Sequence, residues 1–352
     1  MGWARRLGVA AALVGALATG VVAWLRTQLW EPNDVRPAPV VCAAEAPSLP
    51  RGQTVKVLVW NVQFAGSRQY EFFYDGGKQV HVPEADVLAT LDAIAAVIRE
   101  QDPDIVLLQE IDRGSDRTAR IDEHAELLSR LAYPCSTSTP YHQVAYVPHP
   151  AFEHMGRVNM HLSVFSRYRI DAATRTQLPL LVEPWWRQVF NIRRALLDVD
   201  LPLAGGGRFH VFNTHLSAFS NGDGTLERQV AVLDSVLTRT ALAGDAFVIG
   251  GDLNSLPPGD DATRLGPYAH EYPEPVSPVM RLFDRYASVV PAQVYGADPE
   301  RWRTYLPFGA AKPDRTLDYA FTSRDVTVGE ASVVQSLQVS DHLPLVFQVT
   351  VE

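Results

Sequence analysis

From Thr54 onward the chain alternates short apolar runs with stretches of helical period. VKVLVWNV (55–62) is β-branched and apolar, the pattern of a buried strand. EADVLATLDAIAAVIREQ (84–101) sets Val87, Leu91, Ile94, Ala95 and Ile98 on one helical face, and DIVLLQEI (104–111) predicts a second strand. Strand, crossover helix and strand in that order predict parallel pairing. Strands then follow in quick succession at 161–170, 193–201 and 208–216, with LAGGG between the last two as a hairpin signal. A helix over 225–242 leads into FVIGGDLNSLP (247–257), and strands at 315–323 and 336–351 close the chain. Residues 256–313 are proline-rich and irregular apart from a short helix at 279–287. One domain, 54–352, accounts for this order.

The N-terminus has a different pattern. Arg5 and Arg6 precede an uncharged run from Leu7 to Leu25, roughly 28 Å as a helix and enough to span a bilayer. Residues 1–26 are therefore a membrane anchor or, given the small residues around Ala16-Leu17-Ala18, a signal peptide. The continuation of apolar character through Trp24 and Leu25 favours the uncleaved anchor. The arginine pair before the run, with Glu31 and Asp34 after it, sets the N-terminus inside and the body outside. Either reading exports the body, as an anchored or a secreted protein. Residues 27–53 are rich in Pro and Ala and predict an extended linker. The only two cysteines are Cys42 and Cys135. Export permits a disulfide between them, and the spacing alone does not decide it.

The formal net charge of −9 disfavours nonspecific binding to nucleic acid, which needs clustered Lys and Arg. No Cys/His zinc spacing occurs, so any metal must be held mainly by oxygen.

Five predicted strands stop in polar residues directly after apolar ones: Asn61, Glu110, Thr214-His215, Asp252 with Asn254, and Asp341-His342. A buried carboxylate costs several kcal/mol unless paired or metal-bound, so five such endings need a common cause. If the strands are aligned, their ends converge on one edge. The acids there would crowd charge that a hard divalent cation relieves, with Mg2+ the first choice and Mn2+ the alternative.

The motifs Asn61 in VWNV, Glu110 in LLQEID, NTHL (213–216), GDLN (251–254), LDYAF (317–321) and SDHLPL (340–345) stand in the order typical of one family. In these the chain resembles the endonuclease/exonuclease/phosphatase superfamily, which includes deoxyribonuclease I-like nucleases, neutral sphingomyelinases and inositol polyphosphate phosphatases. The resemblance implies an α/β (α+β) fold, a four-layer α/β/β/α sandwich of two mixed β-sheets flanked by helices, and metal-dependent cleavage of phosphate esters. It makes Glu110 the principal metal ligand with Asn61 and Asp341 near the metal. Asp252 would orient or deprotonate the attacking water, and Asn254 would hold the phosphate or that water. His342 would be oriented by Asp318, and His215 would act as an acid for the leaving oxygen or a donor to the developing charge. Direct in-line hydrolysis needs no covalent nucleophile, and these residue types supply its parts.

Asn159, His161 and Arg194 are secondary candidates for substrate binding; Asn159 and His161 share one strand face at i and i+2. Loop aromatics in YEFFYDGG, EPWW and around Tyr268, Tyr272, Trp302 and Tyr305 either pack under their loops or rim an amphipathic substrate. The favoured reading is a phosphodiesterase, with a phospholipid or head group as substrate. The alternatives are an extracytoplasmic DNA or RNA endonuclease and a catalytically silent binding member of the fold, whose mark would be loss of Glu110, Asp252, Asp318 or His342. None of these is missing.

Overall fold

The computed structural model describes residues 2–218, 222–274 and 276–352. Two seven-stranded mixed sheets lie face to face. In spatial order the first holds β1 (Val35–Pro37), β7 (Ala172–Gln177), β8 (Ala195–Pro202), β9 (Arg208–His215), β10 (Ala246–Asp252), β12 (Asp318–Thr322) and β11 (Ala287–Ser288). The second holds β13 (Val326–Val333), β14 (Leu345–Val351), β3 (Thr54–Asn61), β4 (Ile105–Asp112), β6 (Gly156–Ser166), β5 (Cys135–Val147) and β2 (Val40–Cys42). Among the strands of the described residues, β9 with β10 and β3 with β4 pair in parallel and the other neighbours are antiparallel.

The continuous apolar runs follow from burial on both faces. In β3, Val55, Val57 and Val59 enter the core between the sheets. Leu58 and Trp60 turn the other way, against α2 (Glu84–Gln101), whose Val87, Leu91, Ile94 and Ile98 are buried there. After α3 (Glu123–Leu131) and the single turn α4 (Trp185–Gln188), α5 (Thr225–Leu242) covers the first sheet with Leu226, Val230, Leu233 and Leu237.

The strand expected at 161–170 runs over Gly156–Ser166 instead, and the closing strand is confined to Leu345–Val351, leaving 336–344 as a loop. The short helix spans Met280–Arg285. The first half of β5 carries no apolar alternation because four of its buried positions are Ser or Thr (Ser136 to Thr139), some of them hydrogen-bonded, as Ser138 Oγ is with His161 Nδ1 at 2.9 Å. The segment 27–53 is not a free tether. β1 pairs with β7, β2 pairs with β5, and a Cys42–Cys135 disulfide closes the second contact. Its backbone N–H and C=O groups complete the two sheet edges. Ahead of it, α1 (Gly2–Gln28) contains a stretch, Arg5–Gln28, long and apolar enough to cross a membrane.

Candidate active site

The strand FVIGGD ends at the rim because its glycines let it lie close to both neighbours. A Cβ on Gly250 would sit 2.6 Å from Val59 Cγ2 across the sandwich, and one on Gly251 would sit 1.9 Å from the Thr214 carbonyl oxygen on β9. With both hydrogens in place, Asp252 stands in register with His215 on one side and Asp318 on the other. Glu110 is delivered differently. A bulge interrupts the β4–β6 ladder between Leu108 and Ile111, and Glu110 takes φ +59°, a conformation most non-glycine residues avoid. The preceding Gln109 points between the sheets and donates to Asn213 Oδ1 at 2.7 Å, while Asn213 Nδ2 donates to the Leu108 and Ser163 carbonyls.

At the rim, Asn61 Nδ2 donates to Glu110 Oε1 at 3.0 Å and to Asp252 Oδ2 at 3.1 Å, so the two carboxylates lie within about 6 Å of each other. The Asn61 oxygen faces away and accepts from the Gln63 N–H. Asp252 also accepts the Asn254 N–H at 2.9 Å and meets His215 Nε2 at 3.2 Å and His342 Nε2 at 3.6 Å. His342 Nδ1 donates to Asp318 Oδ2 at 2.7 Å. The loop bearing Asp341 and His342 is fixed by Ser340 Oγ donating to the Asn61 carbonyl and by Trp60 Nε1 donating to that of His342.

Burial works against charging His342, but the Asp318 and Asp252 carboxylates outweigh it and push its pKa up to about 10. Asp252 is deeply buried, yet the two histidines hold its carboxyl well below the usual carboxylate range. Burial and the Arg194 guanidinium push the His215 pKa down, against the pull of Asp252. Both His215 nitrogens are engaged, Nε2 with Asp252 and Nδ1 with the Tyr141 hydroxyl at 3.2 Å. Burial and the neighbouring Glu110 push Asp341 up to about 7, against the pull of His342.

Ligand atoms of Asp252, Asp318 and His342 lie within 4.8 Å of one another. Within that trio His342 Nδ1 already donates to Asp318, and His342 Nε2 lies 3.6 Å from Asp252. Glu110 and Asp341 form a different pair: oxygen donors with no Lys or Arg in ion-pair contact among the described residues. Adjacent carboxylates with no Lys or Arg in direct ion-pair contact are what a hard divalent ion would relieve.

Glu110, His215, Asp252, Asn254, Asp341 and His342 line a cavity of about 310 Å3. Its other walls are apolar (Phe73, Met155, Val158, Met160, Ile192) and cationic. Arg194 is buried, lies over the Tyr141 ring at 5.4 Å, and has an Nη1 with no hydrogen-bond partner. Arg315 is enclosed by Tyr268, Tyr272 and Tyr305 and paired with Asp314 and Glu271. Asn159 and His161 are not brought to the cavity. Val158 and Met160 face it, so period-2 alternation turns Asn159 and His161 toward Arg113, Ser115 and Ser138. Tyr141, Asp75 and Gln63 also belong to the site's surroundings; Tyr141 and Asp75 follow no apolar strand run, and Gln63 lies one residue past the end of one.

The sequence matches the model of the Endonuclease/Exonuclease/phosphatase family over residues 58–342. No curated protein matches it by sequence. Among solved structures it is similar to an endonuclease/exonuclease/phosphatase from Beutenbergia cavernae DSM 12333, with 25% identity, TM-score 0.58, and coverage of 85% of this chain and 72% of that one. The human Nocturnin catalytic domain with bound sulfate shares the fold at 18% identity and TM-score 0.56, over 90% and 98% of the two chains. A Bacteroides vulgatus endonuclease/exonuclease/phosphatase shares it at 14% identity and TM-score 0.54, over 85% and 100%.

Proposed function

Because the chain belongs to the endonuclease/exonuclease/phosphatase family, whose members hydrolyse phosphoesters with divalent metal ions, we propose that it is a Mg2+-dependent phosphodiesterase exported to the outer face of a membrane. One observation carries the reading: Asn61 and two imidazoles gather Glu110, Asp252 and Asp318 at one rim.

Glu110 and Asp341 would hold the cation, with Asn61 orienting Glu110 through its amide N–H. When bound there, the ion would supply Lewis-acid stabilisation of charge on a phosphate oxygen. Asp252, ionised and fixed by four contacts, orients the attacking water and takes its proton. His342, protonated and oriented by Asp318, donates to charge developing on the phosphoryl oxygens. His215 positions Asp252 through Nε2, and Tyr141 fixes its tautomer. Asn254 and the open Nη1 of Arg194 bind the phosphate.

The substrate class follows from the cavity walls and the charge. An apolar face beside the phosphate site suits an ester with a hydrophobic substituent, such as a phospholipid or its head group, and net charge −9 does not suit a nucleic-acid polyanion. The N-terminal helix as an uncleaved anchor and the disulfide fit an oxidising compartment outside the cytoplasm.

The test is hydrolysis of bis(p-nitrophenyl) phosphate by the full chain with Mg2+ or Mn2+, abolished by EDTA and by E110Q. DNA, sphingomyelin and glycerophosphodiesters assayed side by side then rank the substrates. A folded protein that turns over no phosphoester and binds no metal in calorimetry would make it a binding member of the fold.

A further inference from the structure

We propose that the loop carrying Val182, Trp185 and Trp186 is a second membrane contact, which together with the N-terminal helix holds the active-site cavity against the bilayer surface. The proposal rests on the anchor reading of α1. Val182 is 69% exposed and the two tryptophans 51% each, three large apolar side chains within five residues. Single exposed hydrophobics are ordinary, but a contiguous group on a surface loop marks an interaction site.

The position of the group identifies the partner. Trp24, near the end of the membrane-length helix, packs on Phe190 with ring centroids 6.1 Å apart, and Phe190 follows the tryptophan pair by four residues. The helix end cannot stand far from the body. Trp30 is held by the guanidinium groups of Arg36 and Arg175 at 5.6 and 5.1 Å, and Val35 already begins a sheet strand, so residues 29–34 reach about 20 Å at most. A bilayer crossed by α1 must therefore lie beside the tryptophan loop. Indole is the side chain suited to that depth, with an apolar body for the acyl boundary and an N–H for the head groups.

The same segment reaches the cavity. The Phe190 carbonyl accepts from His142 Nε2 at 3.0 Å, and His142, Ile192 and Arg194 all line the cavity wall. Burial keeps His142 neutral, so that bond has a single donor sense. One stretch, 182–194, thus runs from the bilayer surface to the phosphate site, and a lipid ester would meet the cavity without leaving the membrane.

The full chain reconstituted in phosphatidylcholine vesicles containing acyl-brominated lipid tests this by tryptophan fluorescence. The difference between wild type and W185F/W186F isolates the emission of the pair, and the difference from W24F isolates the helix. Quenching and a blue shift of the pair's emission, alongside quenching at Trp24, is the expected result. Quenching at Trp24 with an unquenched, water-like pair overturns the second contact while leaving the anchor in place; quenching at neither overturns both. The readout needs no turnover, so it is independent of whether the phosphodiesterase reading holds.

Discussion

Replacing Gly251 with Ala should damage the site from within the sheet, without touching any chemical group. The added Cβ would lie 1.9 Å from the Thr214 oxygen and 2.9 Å from its carbonyl carbon, both backbone atoms of the paired strand β9. No rotamer relieves this contact, so β9 and β10 must part by about 1 Å, and overpacking of that kind costs about 1–3 kcal/mol. Gly251 also has φ +154°, in a region almost reserved for glycine, which adds about 1–3 kcal/mol for any other residue. Asp252 and His215 are the next paired residues, and moving reacting groups by about 1 Å costs about 100-fold in rate. G251A should therefore lower the urea midpoint by the equivalent of about 4 kcal/mol and lower kcat on bis(p-nitrophenyl) phosphate by about 100-fold. Gly250 provides the control. Its Cβ would meet Val59 Cγ2 at 2.6 Å, the end of a side chain, so V59A should recover part of the stability lost in G250A. No change in midpoint or rate for G251A, or no relief of G250A by V59A, would refute the reasoning.

Three other outcomes follow. D318N keeps an acceptor near His342 Nδ1 but removes the charge that supports the imidazolium, so turnover should fall by about 1,000-fold or more with the fold intact by circular dichroism; wild-type turnover would sink the assignment. His124, buried between Ser163 and Ser136, is pushed down to about 4 by burial and Arg113. Its folded pKa lies below the unfolded value of about 6.5, so its contribution is present above about pH 6.5 and is lost as pH falls toward 4, about 3 kcal/mol in all. H124Q should flatten the pH dependence of the urea midpoint over that window. C42S/C135S opens a link of sequence separation 93 and should cost about 4–5 kcal/mol, read as a fall in the urea midpoint under non-reducing conditions.

The sequence alone determined the strands whose two faces are both buried, because such strands are continuously apolar: β3, β4, β9 and β10 were legible, as were α2 and α5 from their helical stripes. It determined four polar endings as well, since Asn61, Glu110, His215 and Asp252 each close an apolar run; Asp341 and His342, expected to end a strand, instead lie in the loop that precedes β14. It did not determine how those groups face one another. The turn of Glu110 depends on a bulge against β6, and the engagement of His215 depends on Tyr141, 74 residues away. The side of β6 that meets the cavity depends on pairing register, which put Met160 where Asn159 and His161 were expected. Linker residues 35–42 became strands only because two sheet edges offered them unpaired hydrogen-bonding groups. Local composition records how much of a strand is buried, whereas orientation, register and partnership are set by contacts between segments far apart in the chain, and those exist only after folding.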